Sequence, residues 1–361
     1  MPKKVITVTG EISPDELGIV SMNDYILCDF SNVFEETALQ FADNYFKVKW
    51  DEKVSLSNVG VLHRNTFLSK DALMQTDVDM LIHELGYYKR AGGKTILDLS
   101  TPSISNNPKA LKRISEETGV NIIASTGFYD NTSIPTELKG SPKSAFMNYF
   151  REEITNGIGR STIKPGNINI GITELSVDER NALSGAAAVC KEFSIPLVIS
   201  LEVSKGEFAN PIIYLLKEEK VDFSKVIVAG VSLINKPPYS HVIKNPEDYK
   251  VDLTQAKTYL DAGLNISISC SNTCGYELLG DYDEGDWALM SAFVLLIDAG
   301  YCEQIVTGNA CRGKIMLHDF GGEGFARMLY YTLPMLRDAA GVSDYAIRKI
   351  FYENPARILA V

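Results

Sequence analysis

Metal, thiol and serine chemistry each need a few residue types at set spacings, and this chain of 361 residues offers few of them. Its four histidines, His63, His83, His241 and His318, are scattered, and none closes an apolar run. A zinc-type site gathers three or four Cys, His or carboxylate donors, and no histidine pair here announces one. The six cysteines, Cys28, Cys190, Cys270, Cys274, Cys302 and Cys311, are irregularly spaced, which fits free thiols in a reducing compartment better than a disulfide framework. The tightest grouping, Cys270 and Cys274 with Cys311, could form an unusual thiolate metal site. Its spacing is not that of a zinc knuckle, and buried free thiols are the plainer reading. No Gly-x-Ser-x-Gly elbow occurs.

Composition narrows the partners. Hydrophobic residues make up 45% of the chain and the net charge is −11. A core of ordinary size is therefore available, and nucleic acid or an anionic membrane surface is excluded as a partner, because both demand clustered Lys and Arg. A small-molecule ligand is expected, and assembly into a homo-oligomer is left open. The start, Met1-Pro2-Lys3-Lys4-Val5, lacks the apolar core of a signal peptide, and no apolar run reaches the roughly 18 residues of a membrane span. A cytoplasmic protein is the expectation.

The elements that must position any site alternate between short apolar runs and helical patterns, the signature of βα units. After a hairpin-like segment, Val5 to Ile12, eight strands are expected: Gly18 to Tyr25, Thr95 to Ser100, Asn121 to Thr126, Asn167 to Ile172, Leu197 to Glu202, Val226 to Gly230, Asn265 to Ser269 and Gln304 to Thr307. A helix from Asp77 to Arg90 capped by Thr76 and one from Val177 to Phe193 capped by Ser176, with Glu179 completing a capping box, stand out. The fold class is α/β, a (β/α)8 TIM barrel with an N-terminal hairpin, as one domain over residues 1–361. Long stretches from Ser31 to Leu73 and from Ser232 to Asp252 fall after the first and sixth strands, where barrel loops wall the active site.

Several segments together resemble the phosphotriesterase family of the amidohydrolase superfamily. They are Thr7-Val8-Thr9-Gly10-Glu11-Ile12 with Leu17-Gly18 and Met22, Glu84-Leu85 through Lys89-Arg90-Ala91-Gly92-Gly93 to Asp98, Thr126-Gly127-Phe128-Tyr129, Gly321-Gly322-Glu323-Gly324, and Glu353-Asn354-Pro355-Ala356-Arg357. The resemblance implies a barrel whose mouth holds two divalent metals, bound by His-x-His on strand one, a carboxylated lysine or glutamate on strand four, a histidine each on strands five and six, and an aspartate on strand eight. Carried onto this chain, those positions are Asn23 and Tyr25, Asn169 (or Ile170 in the glutamate register), Ser200, Gly230 and Ala310. None keeps its ligand. Gly and Ala bring no side-chain donor, and Asn cannot form a carbamate, so no divalent metal and no cofactor is expected at the family site. The ion that would lower the pKa of a bound water goes with them.

Because residues i and i+2 share a strand face, Glu202, Ser232 and Arg312 should stand at or above the mouth beside Ser200, Gly230 and Ala310. Tyr129 falls where lactonase-like relatives place an aromatic against the substrate carbonyl. With Asn23, Tyr25 and Asn169 these residues would make a polar, metal-free cup. Asp24 should face outward as a structural acid, and Glu174 reaches the mouth only in the second strand-four register. No histidine lies near Ser200 on the strand map, and Lys205, Lys236 and Lys314 fall in rim loops, so serine and Schiff-base chemistry are poorly served. Backbone amides around Gly321-Gly322-Glu323-Gly324 could hold an anion, although a plain tight turn also explains the glycines. The expected function is a barrel that has lost binuclear hydrolysis and binds a small polar or anionic metabolite. The alternative is hydrolysis of a lactone, ester or phosphorylated sugar by a changed mechanism, with Glu202 as base and Tyr129 or Arg312 as electrophilic stabiliser.

Overall fold

Strands that are apolar on both faces can be buried only between a barrel interior and a coat of helices. The computed structural model, which describes residues 3–32, 47–104, 106–201, 208–235, 237–269 and 285–361, has that arrangement. Its barrel strands are β1 (Ile19–Asp24), β2 (Gly93–Asp98), β3 (Asn121–Ile123, resuming at Ser125–Phe128), β4 (Asn167–Ile172), β5 (Leu197–Leu201), β6 (Val226–Ala229), β7 (Asn265–Ser269) and β8 (Ile305–Gly308). All pair in parallel, in two ladders that meet at Ala124 within β3. At the other seam Ala310 N donates to Asn23 O (2.7 Å) and Tyr25 N to Cys311 O (3.0 Å). Gly308 permits this approach, since a Cβ there would lie 2.5 Å from Asn23 N.

Helices follow the strands: α1 (Val78–Arg90), α2 (Pro108–Thr118), α3 (Lys143–Asn156), α4 (Val177–Phe193), α5 (Ala209–Glu219), α6 (Thr254–Asp261) and α7 (Asp286–Asp298). After β8 come 3-10 turns and then π-helical turns at Met328–Thr332 and Met335–Ala339. The hairpin is present as Val5–Thr7 against Gly10–Ile12. No described helix is long and apolar enough to cross a membrane.

Most expected elements match to within a residue or two. The cap of α1 is Asp77 and not Thr76, because the carboxylate of Asp77 accepts from Met80 N at 3.1 Å. Ser176 and Glu179 form the capping box of α4 as expected. Strand β2 starts at Gly93 rather than Thr95. A Cβ at Gly93 would run 2.3 Å into the Tyr88 ring, whose hydroxyl donates to Thr95 O (2.8 Å) and accepts from Ser21 N (3.2 Å). One glycine thus lets α1 lie flat on the first two strands.

Packing divides each strand into two faces. Ile168, Ile170 and Ile172 of β4, Ile199 of β5, Val228 of β6 and Ile266 and Ile268 of β7 pack with the helices. Val20, Met22, Leu97, Val198, Ile227, Ala229 and Val306 form a second cluster inside the barrel.

Candidate functional site

The mouth is built first by a bulge. Between Ser21 and Asp24 the pairing of β1 with β2 shifts register, and a bulge re-aims the residues it carries. Met22 packs inward while Ser21 and Asp24 bond to each other on the outer face. Asn23 turns into the barrel, where its Nδ2 donates to Ser269 Oγ on β7 at 2.9 Å.

Asp24 is the structural acid the sequence suggests. Fully buried, it accepts from Ser21 Oγ, from Cys311 N (3.0 Å) and from Asn309 Nδ2 (3.1 Å), and Asn309 in turn ties Phe325 O and Met328 N. Asp98, its register partner on β2, accepts from Ile26 N (2.9 Å) and from Ser100 N and Oγ. Burial pushes each of these carboxyls up to about 7, against the pull of their hydrogen bonds. Between them they hold the two loops that carry the cup, one after β1 and one after β8.

On the opposite wall, Asn169 and Ser200 satisfy each other. Ser200 Oγ donates to Asn169 Oδ1 at 2.8 Å, and Asn169 Nδ2 donates to Leu99 O at 2.9 Å. Asn169 and Ser200 alternate with helix-facing Ile170 and Ile199, so they point inward. The Ile170 alternative for the strand-four position is thereby corrected, since Ile170 packs against helices. Glu174, which depended on that register, is exposed, and its backbone N donates to Glu179.

The aromatic wall comes from Tyr25, Phe30 and Tyr129. Tyr25 meets Phe30 and Tyr129 edge-on at centroid distances of 5.8 and 6.3 Å, and Phe30 lies 4.8 Å from Tyr129. Gly171 makes room for this corner, since a Cβ there would fall 1.5 Å from Tyr129 O. Half-buried Arg312 directs its guanidinium to the Tyr129 hydroxyl at 3.4 Å. The Cys28 thiol is pushed well up by burial and then by Asp98 and Asp29, while the charge of Arg312 opposes them. Burial thus favours the neutral thiol at Cys28.

The inward alternation fails after β6. Gly230 has φ +75°, and a Cβ there would lie 2.2 Å from Leu201 O. Alanine at 229 is the inner residue instead, and Ser232 is exposed with its hydroxyl donating to Ile234 O at 3.1 Å. Ala310, at φ +49°, joins the seam through its backbone. Glu202, Lys205, Lys236, Cys270 and Cys274 lie outside the described residues. Lys314 pairs with Asp71 at 2.5 Å. At the Gly321-Gly322-Glu323-Gly324 turn it is the chain's own Glu84 that sits against Gly324, accepting from His318 N (3.1 Å) and bonded to His318 Nδ1 (2.7 Å). Among the described residues no group of three His, Cys, Asp or Glu side chains could hold a metal.

Sequence reasoning missed Ser267 and Ser269 inside the barrel and Asn309 behind it. The first two were signalled by the polar and apolar alternation of Asn265-Ile266-Ser267-Ile268-Ser269.

A parallel β/α barrel with polar side chains gathered where its strands end is the architecture of a large class of barrel enzymes. Residues 3–359 match the phosphotriesterase family, and the chain belongs to it. It is 27% identical to the N-acetyltaurine hydrolase of Dictyostelium discoideum over 99% of this chain and 98% of that protein. The human N-acetyltaurine hydrolase is 26% identical over 99% and 97%. Among solved structures, a resiniferatoxin-binding protein from Rhodobacter sphaeroides superposes with a TM-score of 0.84 at 23% identity, covering 99% of this chain and 94% of that one. A lactonase from Listeria monocytogenes gives 0.73 at 17%, covering 99% and 98%. These likenesses establish the barrel.

Proposed function

We propose that this phosphotriesterase-family barrel works without the binuclear ions, as a binding site for a small polar or anionic metabolite. One observation carries the reading: Asn169 and Ser200, at the family's strand-four and strand-five ligand positions, spend their polar atoms on each other and on Leu99 O. The remaining positions, Asn23, Tyr25, Gly230 and Ala310, supply an amide, a phenol and two side chains with no donor, a set that does not fit a pair of divalent ions. No cofactor is needed for what is left. Arg312 and Tyr129 supply a cation and a hydroxyl to an anionic group, and Tyr25 and Phe30 supply an apolar wall. N-acetyltaurine, the compound named for the relatives, sets a sulfonate on a short linker and is the first ligand to try.

A second reading is favoured by those relatives being named hydrolases along their whole length. In it Glu202 acts as general base, and Tyr129 or Arg312 steadies charge on the carbonyl oxygen of a lactone or ester, or on a phosphoryl oxygen of a phosphorylated sugar.

Elemental analysis of the purified protein tests the first reading, with less than stoichiometric zinc, manganese, iron or nickel expected. Melting with and without EDTA should agree, because an ion bound only to the folded state adds about 2.7 kcal/mol at a hundredfold excess over its Kd. A stoichiometric ion at the mouth, or a fall of several degrees with chelator, overturns it.

A further inference from the structure

Three of the chain's four histidines, His63, His83 and His318, meet on one turn of the loop after β8, His318–Phe320. His63 Nε2 lies 3.1 Å from Phe320 O, and His83 Nδ1 lies 3.8 Å from the Asp319 carboxylate. The His318 ring is held from three sides. Its Nδ1 lies 2.7 Å from Oε1 of buried Glu84 on α1, the ring stacks on Tyr87 at 4.2 Å, and Nε2 lies 3.3 Å from the Tyr330 hydroxyl. That hydroxyl spends its one proton on Glu323 O at 2.5 Å. Burial and then Glu84 push the phenol up to about 12, so the proton stays on. Both ring nitrogens of His318 therefore face acceptors, and only a protonated imidazole donates from both.

The same loop carries Arg312. Its backbone N–H reaches Met316 Sδ (3.4 Å), Met316 N donates to Gly313 O (2.9 Å) and Gly322 N to Leu317 O (3.0 Å), so successive turns join the arginine to the histidine turn. A Cβ at Gly322 would lie 2.0 Å from Met316 O, which shows how closely the stretch is folded on itself. We infer that His318 is a positioning residue and its turn a proton-operated latch: the imidazolium clamps the loop to Glu84 and holds Arg312 at the mouth, and loss of the proton loosens both. The inference rests on the proposed anion-binding role of Arg312. Imidazole is the side chain that ordinarily changes charge between about pH 5 and 8. On a carboxylate it makes a charge-assisted bond, and its charge suits the face of an aromatic ring. Glu84, Asp319 and Glu323 surround the turn with negative charge. Arg90, 4.6 Å from the Tyr87 ring centre, Lys314, 5.7 Å from that of Phe320, and Arg327, paired with Glu323 and Asp286, bring positive charge.

Calorimetry of the full-length protein with N-acetyltaurine should show binding about tenfold weaker at about pH 8.5 than at about pH 5.5. NMR of the histidine Cε1–H signals over the same range should show the His318 ring losing its proton in step with the affinity. Its signal is the one missing from His318→Gln. That variant cannot carry the charge and should bind as weakly at the lower pH as at the higher. Tyr330→Phe removes only the acceptor at Nε2 and serves if the glutamine variant fails to fold, with the fall in affinity expected to move to lower pH. Equal affinity at the two pH values overturns the latch and leaves the anion site standing. A tenfold fall that persists in a folded His318→Gln, or stays in place in Tyr330→Phe, belongs to the buried acids Asp24 and Asp98 and overturns the latch as well. Binding at neither pH overturns both.

Discussion

Ser200 Oγ donates to Asn169 Oδ1 at 2.8 Å, joining the inward faces of β5 and β4. The bond is buried, with Asn169 0% and Ser200 3% exposed, and the other end of the Asn169 amide is held by Leu99 O. A pair of side chains thus fills the wall from within.

Asn169→Ala should therefore destabilise the barrel by about 1 to 3 kcal/mol, because Ser200 Oγ and Leu99 O both lose a buried partner. Urea unfolding of Asn169→Ala, Ser200→Ala and the double variant checks this. A coupling of about 0.5 to 1.5 kcal/mol is expected. Strict additivity would mean that the bond does not hold the wall.

Charge at the mouth should be read mainly through Arg312. Arg312→Ala is expected to weaken an anionic ligand by about 1.5 to 3 kcal/mol, the scale of a charge-assisted hydrogen bond, with melting temperature little changed. Glu202→Gln divides the two functional readings: it abolishes turnover if Glu202 is a general base and alters only affinity if the barrel binds without reacting. A ligand whose binding and conversion ignore both substitutions would place the site elsewhere.

Stability should fall as pH rises through the weakly acidic range. Asp24 and Asp98 have their carboxyls pushed up to about 7 in the fold, from an ordinary value of 3.8. Between those values the folded protein binds more protons than the unfolded chain. Their contribution is thus fully present below about pH 4, is lost as pH approaches 7, and is constant above. Asp98→Asn keeps an oxygen for Ile26 N and Ser100 and cannot ionise, so its melting temperature should fall less than that of the unmodified protein between pH 4 and 8. Parallel profiles would show that Asp98 does not titrate in this window.

The sequence by itself determined the barrel and the identity of the residues at its mouth. The rhythm of apolar runs and helices places the eight strands, most to within two residues, because burial on both faces forces a recognisable pattern. Capping at Ser176 and Glu179 was equally legible, since a cap is a local bond between residues three apart. What the tertiary structure decided is which way the side chains face and what they meet. Alternation placed Asn169 and Ser200 correctly but not Ser232, because strand alternation ends where Gly230 turns to φ +75°. Met22 and Asn23 both enter the barrel through a bulge that no spacing rule reveals. The partners of Asn23 and Asp24, at Ser269, Asn309 and Cys311, are more than 200 residues away in sequence. Such bonds exist only once β8 closes on β1, which is why the residues near the mouth could be listed from the chain but their contacts could not.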